Sequence, residues 1–339
     1  MGLPVNSGLN LHEKYKKGKK NLITDVRGLK VGHVTLKNNN INTGVTVIFP
    51  HEGNIFQDKV MAASSVLNGF GKSVGLLQID ELGTIETPIV MTNTLSVGTA
   101  TTALIKYILN QNEDIGITTG TVNCVVTECN DGRLNDIRGL HVTEEHVLKA
   151  LNSPSEYFEE GAVGSGTGMY CQGLKGGIGS ASRVVDVDGK EYIIGALVMS
   201  NFGFPGNLII GGESVGKNIK GNIKKDEGSI IMIIGTDIPL SERQLKRIAK
   251  RTAISLGKTG SYMGNGSGDI AIAFTTANRI PHYSKTDIIE TKMFFDDHID
   301  KVFEASIEAV EESIVSSLYH AETTVGFMGR QVKGLRDYL

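Results

Sequence analysis

Gly228-Ser229-Ile-Ile-Met-Ile-Ile-Gly235, together with the run from Ser241 to Gly257 that follows it, decides the fold. The large apolar residues between the two glycines make a run too short for a buried helix, so they read as a strand covered on both faces. Ser241 and Gln244 then spell a capping box. Leu245, Ile248, Ala249, Thr252 and Leu256 share one helical face, and Gly257 stops the helix. Working outward, helical patterns fall at residues 57–67, 95–109, 144–151 and 297–318. Strand patterns fall at 22–26, 44–49, 74–79, 121–127, 161–171, 178–187, 192–200 and 270–275. Helices toward the two ends, with most strands between them, predict an α/β layered sandwich and not a regular βαβ repeat.

The chain has 339 residues, 40% hydrophobic and 21% charged, enough to bury a sizeable core in one large domain or two ordinary ones. We expect a basic arm frayed to about Lys20, then a single domain over residues 21–339. Within it, residues 206–228 are charged and poor in apolar residues and read as an exposed linker. Lys and Arg number 34 against 37 Asp and Glu, so the net charge of −3 offers no field for nucleic acid or an anionic membrane surface. No apolar stretch approaches the roughly 20 residues of a spanning helix. No apolar segment follows the N-terminal lysines as a secretory signal requires, and Asn6 breaks the myristoylation pattern begun at Gly2. A cytoplasmic protein without nucleic-acid or membrane partners is expected. Cys124, Cys129 and Cys171 form no C-x-x-C pair, and the eight histidines show no metal-ligand spacing, so neither metal nor cofactor is expected.

Several motifs tempt. Gly211 to Asn218 nearly spells a phosphate-binding loop, but Asn218 stands where a magnesium-binding hydroxyl is needed. Gly212-Glu-Ser214-Val-Gly216 is a literal nucleophile elbow, yet no helix pattern follows the serine. The runs 164–168 and 173–179 are glycine-rich, with Lys175 the one charge in the second, and read as tight turns.

The junction 228/229 carries more chemistry. A serine opening a buried strand behind an exposed linker can attack the preceding carbonyl, because Gly228 has no Cβ to obstruct the approach. The N-to-O acyl shift and hydrolysis then leave Ser229 as a new amino terminus. That residue holds both a hydroxyl nucleophile and an amine with an ordinary pKa of about 8, so no histidine is required. Downstream, Gly264-Asn-Gly-Ser267-Gly-Asp269 opens another strand. Ser267 and Asp269, two apart, share a face from which they can orient the Ser229 hydroxyl. Asn201, at the end of an apolar strand, has an amide able to donate to an oxyanion.

These blocks resemble the DmpA/BapA-type aminopeptidases, which include L-aminopeptidase/D-Ala-esterase/amidases and β-aminopeptidases. The likeness runs through Ile23 to His33, Gly44-Val-Thr-Val, Glu86 to Gly98, Glu128 to Asp136, Glu160 to Met169, Gly228-Ser229 and Gly264 to Asp269. The resemblance implies an αββα fold of the Ntn-hydrolase type. It also implies self-cleavage before Ser229, supporting roles for Ser267 and Asp269, an oxyanion-hole Asn201 and an acidic Glu128 for the substrate amine. The substrate it implies is a small peptide, amino-acid amide or ester with a free amino group, hydrolysed by a homo-oligomer, a tetramer. One departure stands out: the family's tyrosine near residues 128–136 is missing, since no Tyr lies between Tyr107 and Tyr157. Two alternatives remain open at the level of sequence: an acyltransferase of the ornithine acetyltransferase type, and a non-catalytic relative. Preference for α- or β-amino acids is also open.

Overall fold

The computed structural model describes Ser7 and residues 9–219 and 228–339. Strands β1 (Lys30–Asn38) and β2 (Ile41–Phe49) form a hairpin. Then come β3 (Asp58–Gly69), α1 (Leu76–Leu82), β4 (Thr84–Ile85), β5 (Ile89–Asn93), α2 (Val97–Leu109), β6 (Val125–Cys129) and α3 (Glu144–Leu151). A small hairpin, β7 (Tyr170–Cys171) with β8 (Leu174–Lys175), precedes the long hairpin of β9 (Gly177–Val187) and β10 (Lys190–Asn201). After these lie β11 (Ser229–Thr236), α4 (Glu242–Lys258), β12 (Gly268–Pro281) and α5 (Asp300–His320), with a short ribbon of β13 (Thr324–Val325) and β14 (Gln331–Val332) last.

Two sheets carry the fold, one in the order β1-β2-β5-β6 and one in the order β4-β3-β12-β11-β10-β9. The alternation along β11 explains the layering. Ile231 and Ile233 point inward, with Ile270 and Ile272 of β12, and meet Val31, Ile48, Met91 and Val125 from the other sheet. Ile230, Met232 and Ile234 point outward and are covered by Leu245 and Ile248 of α4 and Val310 and Ile314 of α5. On the far side, α2 and α3 close over Val45, Val47, Val90 and Val126. The result is the expected αββα sandwich, with each strand of the central run buried on both faces. Among the described residues no helix is long and apolar enough to cross a membrane.

Local readings fared unevenly. The helices expected at 95–109, 144–151, 242–256 and 297–318 form with small shifts in their ends. Residues 57–67 form β3 instead of a helix, because the strand slots between β12 and β4 and its Ala62, Ala63, Ser64 and Ser65 are all buried. Residues 74–79 are not a strand: Val74 makes a single bridge to Val126, and α1 starts at Leu76. Residues 161–171 make turns and only the short β7. The expected opening strand at 22–26 is one 3-10 turn, Ile23–Asp25.

The arm before Lys20 does not fray from Leu9 onward. Two buried carboxylates on α5 hold it: Glu308 accepts from the Lys14 and Tyr15 amides at 2.9 and 3.2 Å, and Glu312 pairs with Lys17 at 2.9 Å. The buried Arg183 completes the cluster, 3.0 Å from Glu308 and 2.7 Å from Glu312. The expected linker is shorter than 206–228, since Leu208, Ile210 and Ile219 enter the core. Residues 220–227 of it lie outside the described residues.

Candidate active site

Ser229 is the first residue of a strand held on both sides. It pairs with Asn201 of β10 in antiparallel register and with Gly268 of β12 in parallel register. Asn201, Ser229, Ser267 and Asp269 are all buried, gathered at one end of the six-stranded sheet. The Ser267 hydroxyl donates to Asp269 Oδ1 at 2.6 Å, so these two expected partners are joined. The Gly268 N–H is aimed at two acceptors, the Ser229 hydroxyl oxygen at 3.3 Å and the Gly228 carbonyl oxygen at 3.2 Å. Gly228 lies so close to β10 that a Cβ there would run into the Asn201 carbonyl oxygen.

Asn201 is oriented through both ends of its amide. Its Oδ1 accepts the Tyr170 N–H at 2.8 Å and its Nδ2 donates to the Asn130 carbonyl at 3.0 Å, which leaves one amide hydrogen uncommitted by these bonds. Tyr170 sits on the β7–β8 hairpin, and its ring lies 4.2 Å from the Arg133 guanidinium carbon. An aromatic ring thus reaches the 128–136 block, which has no tyrosine of its own, from another element. The loop behind it is clamped by Lys175, whose fully buried ammonium donates to the carbonyls of Gly166, Met169 and Gly176 at 3.0, 2.9 and 2.6 Å. Burial holds this lysine's pKa down to about 7. The lone charge in a glycine-rich run was the sequence signal for it, and its partners are backbone oxygens, not phosphate.

Glu128 comes from the other sheet, at the end of β6, and is also buried. The Lys72 N–H donates to its Oε1 at 2.8 Å and the Thr94 hydroxyl to its Oε2. Its neighbour Cys129 fills the space between the sheets, its thiol pushed well up by burial and then by the charges of Glu128 and Asp269. Ser214 is exposed, in a turn followed by a single 3-10 turn (Val215–Asn218), so the elbow motif lacks its helix. Lys217 of the near-phosphate loop is exposed in that turn too. Among the described residues no group of three or more His, Cys, Asp or Glu is placed to hold a metal ion.

A layered αββα body with a serine heading a central strand is the architecture of the Ntn hydrolases. The chain belongs to peptidase family S58, whose model matches residues 21–332. It is 37% identical to the β-peptidyl aminopeptidase BapA of Sphingosinicella microcystinivorans, over 94% of this chain and 86% of that protein. Among solved structures, the PH0078 protein of Pyrococcus horikoshii OT3 is 54% identical with a TM-score of 0.93, covering 97% of this chain and 94% of that one. The L-aminopeptidase D-Ala-esterase/amidase of Ochrobactrum anthropi, described as a prototype serine aminopeptidase with a variant Ntn hydrolase fold, is 36% identical with a TM-score of 0.91. It covers 97% of this chain and 94% of its own.

Proposed function

We propose that this hydrolase is a self-processing aminopeptidase in which Ser229, freed by cleavage after Gly228, releases the amino-terminal residue of small peptides, amino-acid amides or esters. One observation carries the reading: the Gly228 carbonyl and the Ser229 hydroxyl share the Gly268 N–H at 3.2 and 3.3 Å. A donor on the carbonyl oxygen polarises the carbon that the neighbouring hydroxyl is to attack. In processing, the Ser229 oxygen bonds to the Gly228 carbonyl carbon, and the Gly228–Ser229 C–N bond breaks as the nitrogen takes a proton. Water then hydrolyses the ester, giving a Gly228 carboxylate and a free Ser229 amine.

In turnover that amine takes the hydroxyl proton as the oxygen attacks the substrate carbonyl, with Ser267 and Asp269 orienting the pair. Asn201 and the Gly268 N–H receive the developing oxyanion. Glu128 holds the substrate ammonium. The leaving amine or alcohol departs with the proton, and water hydrolyses the acyl-enzyme. Intact mass and an amide or p-nitroanilide assay test this together. Wild type should run as two chains divided after residue 228 and turn over substrate, while Ser229→Ala should be one inactive chain. An active Ser229→Ala protein, or a folded Ser214→Ala protein without activity, overturns the assignment.

A further inference from the structure

On the aminopeptidase reading, a substrate must cross from one sheet to the other, its amine at Glu128 on β6 and its acyl carbon at Ser229 on β11. The segment that follows β3 makes the same crossing. Asn68 pairs with Asp269, and the Phe70 N–H donates to the Ser267 carbonyl at 3.3 Å. The Lys72 N–H reaches Glu128 at 2.8 Å, and the Val74 N–H reaches Val126 of β6 at 2.9 Å. The strap is therefore pinned at Phe70 to Ser267 and at Lys72 to Glu128, residues the proposed chemistry uses, and continues to β6 at Val74. Gly71, near its start, lies against Glu128 and Ile270, with room for a Cβ 3.5 Å from atoms of each. Phe70 beside it is 59% exposed, although its backbone is fixed. Across the carboxylate, Leu95 is 51% exposed and follows Thr94, the other residue holding Glu128. Two exposed apolar side chains are thus carried close in the chain to Lys72 and Thr94, the two residues that hold Glu128. The Lys72 ammonium stands 4.6 Å from the Phe70 ring and repels a second cation there.

We propose that Phe70 is the specificity-determining residue for the side chain of the substrate's amino-terminal residue, favouring an apolar, uncharged one. That side chain branches from the atoms between amine and acyl carbon, so it emerges alongside the strap that carries Phe70. Burying a larger aliphatic side chain against the ring as the substrate binds raises kcat/KM, and each methylene removed from such packing reduces it by at most about fourfold.

The test compares kcat/KM on leucine, alanine and lysine p-nitroanilides, in α- and β-homo forms, for wild type, Phe70→Ala and Gly71→Ala. Wild type should prefer leucine to alanine and cleave lysine poorly. Phe70→Ala should lose about tenfold on leucine and less than about threefold on alanine, with cleavage at 228/229 unaffected. Gly71→Ala, which adds a methyl beside Glu128 without a clash, should raise KM for leucine and alanine alike and keep their ratio. Equal losses on both substrates for Phe70→Ala, or a ratio shift of the same size in Gly71→Ala, overturn the proposal. So does a fall in assembled mass by light scattering with an unchanged ratio, which assigns Phe70 to a subunit contact. A wild type that hydrolyses no member of the panel refutes the aminopeptidase reading itself, whereas hydrolysis with an unaltered ratio refutes only the role of Phe70.

Discussion

Replacing Gly228 with alanine drives a methyl group into the Asn201 carbonyl, so the carbonyl that the proposed processing would attack has to leave the Gly268 N–H. Gly228→Ala is expected to remain a single chain by intact mass despite an intact Ser229, and to be inactive for that reason. Asp269→Asn keeps the size of the side chain but removes the charge facing Ser267 at 2.6 Å. It should lower kcat by about 10²–10⁴ with a smaller change in KM, measured on processed protein. His33 bears on stability. The edge of its ring remains partly accessible, yet its Nε2 is closed off from water and Nδ1 is taken up by Thr46 at 2.9 Å. Burial lowers its pKa from 6.5 to about 4. The unfolded chain then binds a proton that the folded one refuses, and stability is lost as pH falls from about 6.5 toward 4, by up to about 3 kcal/mol. In urea titrations of the uncut Ser229→Ala protein, adding His33→Gln should flatten that acid limb; an unchanged limb would show that His33 is not its source.

Of the elements, the arm and α5 give the clearest energetic expectation. Arg183→Met leaves Glu308 and Glu312 buried with less opposing charge, which should cost about 3–5 kcal/mol and loosen the arm to proteolysis. A shift below about 1 kcal/mol would mean that the arm's backbone contacts suffice. Sequence periodicity located α4 and β11 because capping, stripe and stop all agreed there, and the candidate site residues Ser229 and Asp269 were placed on strands the pattern marked. It missed β3 because Met61, Ala62 and Ala63 are good helix formers whose state is set by β12 alongside. It misread α1 as a strand, although Gly75 and Gly83, both at positive φ (+93° and +64°), mark its two ends. β1 and β5 escaped notice. Their places depend on pairing with β2 and β6, which no local pattern records. The Gly268 N–H was invisible for a related reason: a backbone donor has no letter of its own, and only the parallel register against Ser229 reveals its aim.

At the scale of the molecule, the proposed cleavage after Gly228 would divide the six-stranded sheet, leaving β11 and β12 on one chain and β3, β4, β9 and β10 on the other. The halves should co-elute after processing, because neither can cover its own apolar face. Light scattering should report an assembly larger than one 36.4 kDa unit, a tetramer if the family resemblance holds, and a single-unit mass would end that expectation. The interleaving of the sheet also has a thermodynamic sequel. β11 lies between β10 and β12, so on the self-processing proposal the order of events is to fold first and cut second. A protein processed in this way would be a product whose assembly instructions have been severed. Two separated fragments must find one another by diffusion, with unpaired strand edges open to aggregation meanwhile. Heating the processed enzyme should give an irreversible transition whose midpoint moves with scan rate, whereas uncut Ser229→Ala should refold on cooling. Longevity of an enzyme processed in this way would rest on the height of its unfolding barrier, a one-way door that the uncut chain does not face.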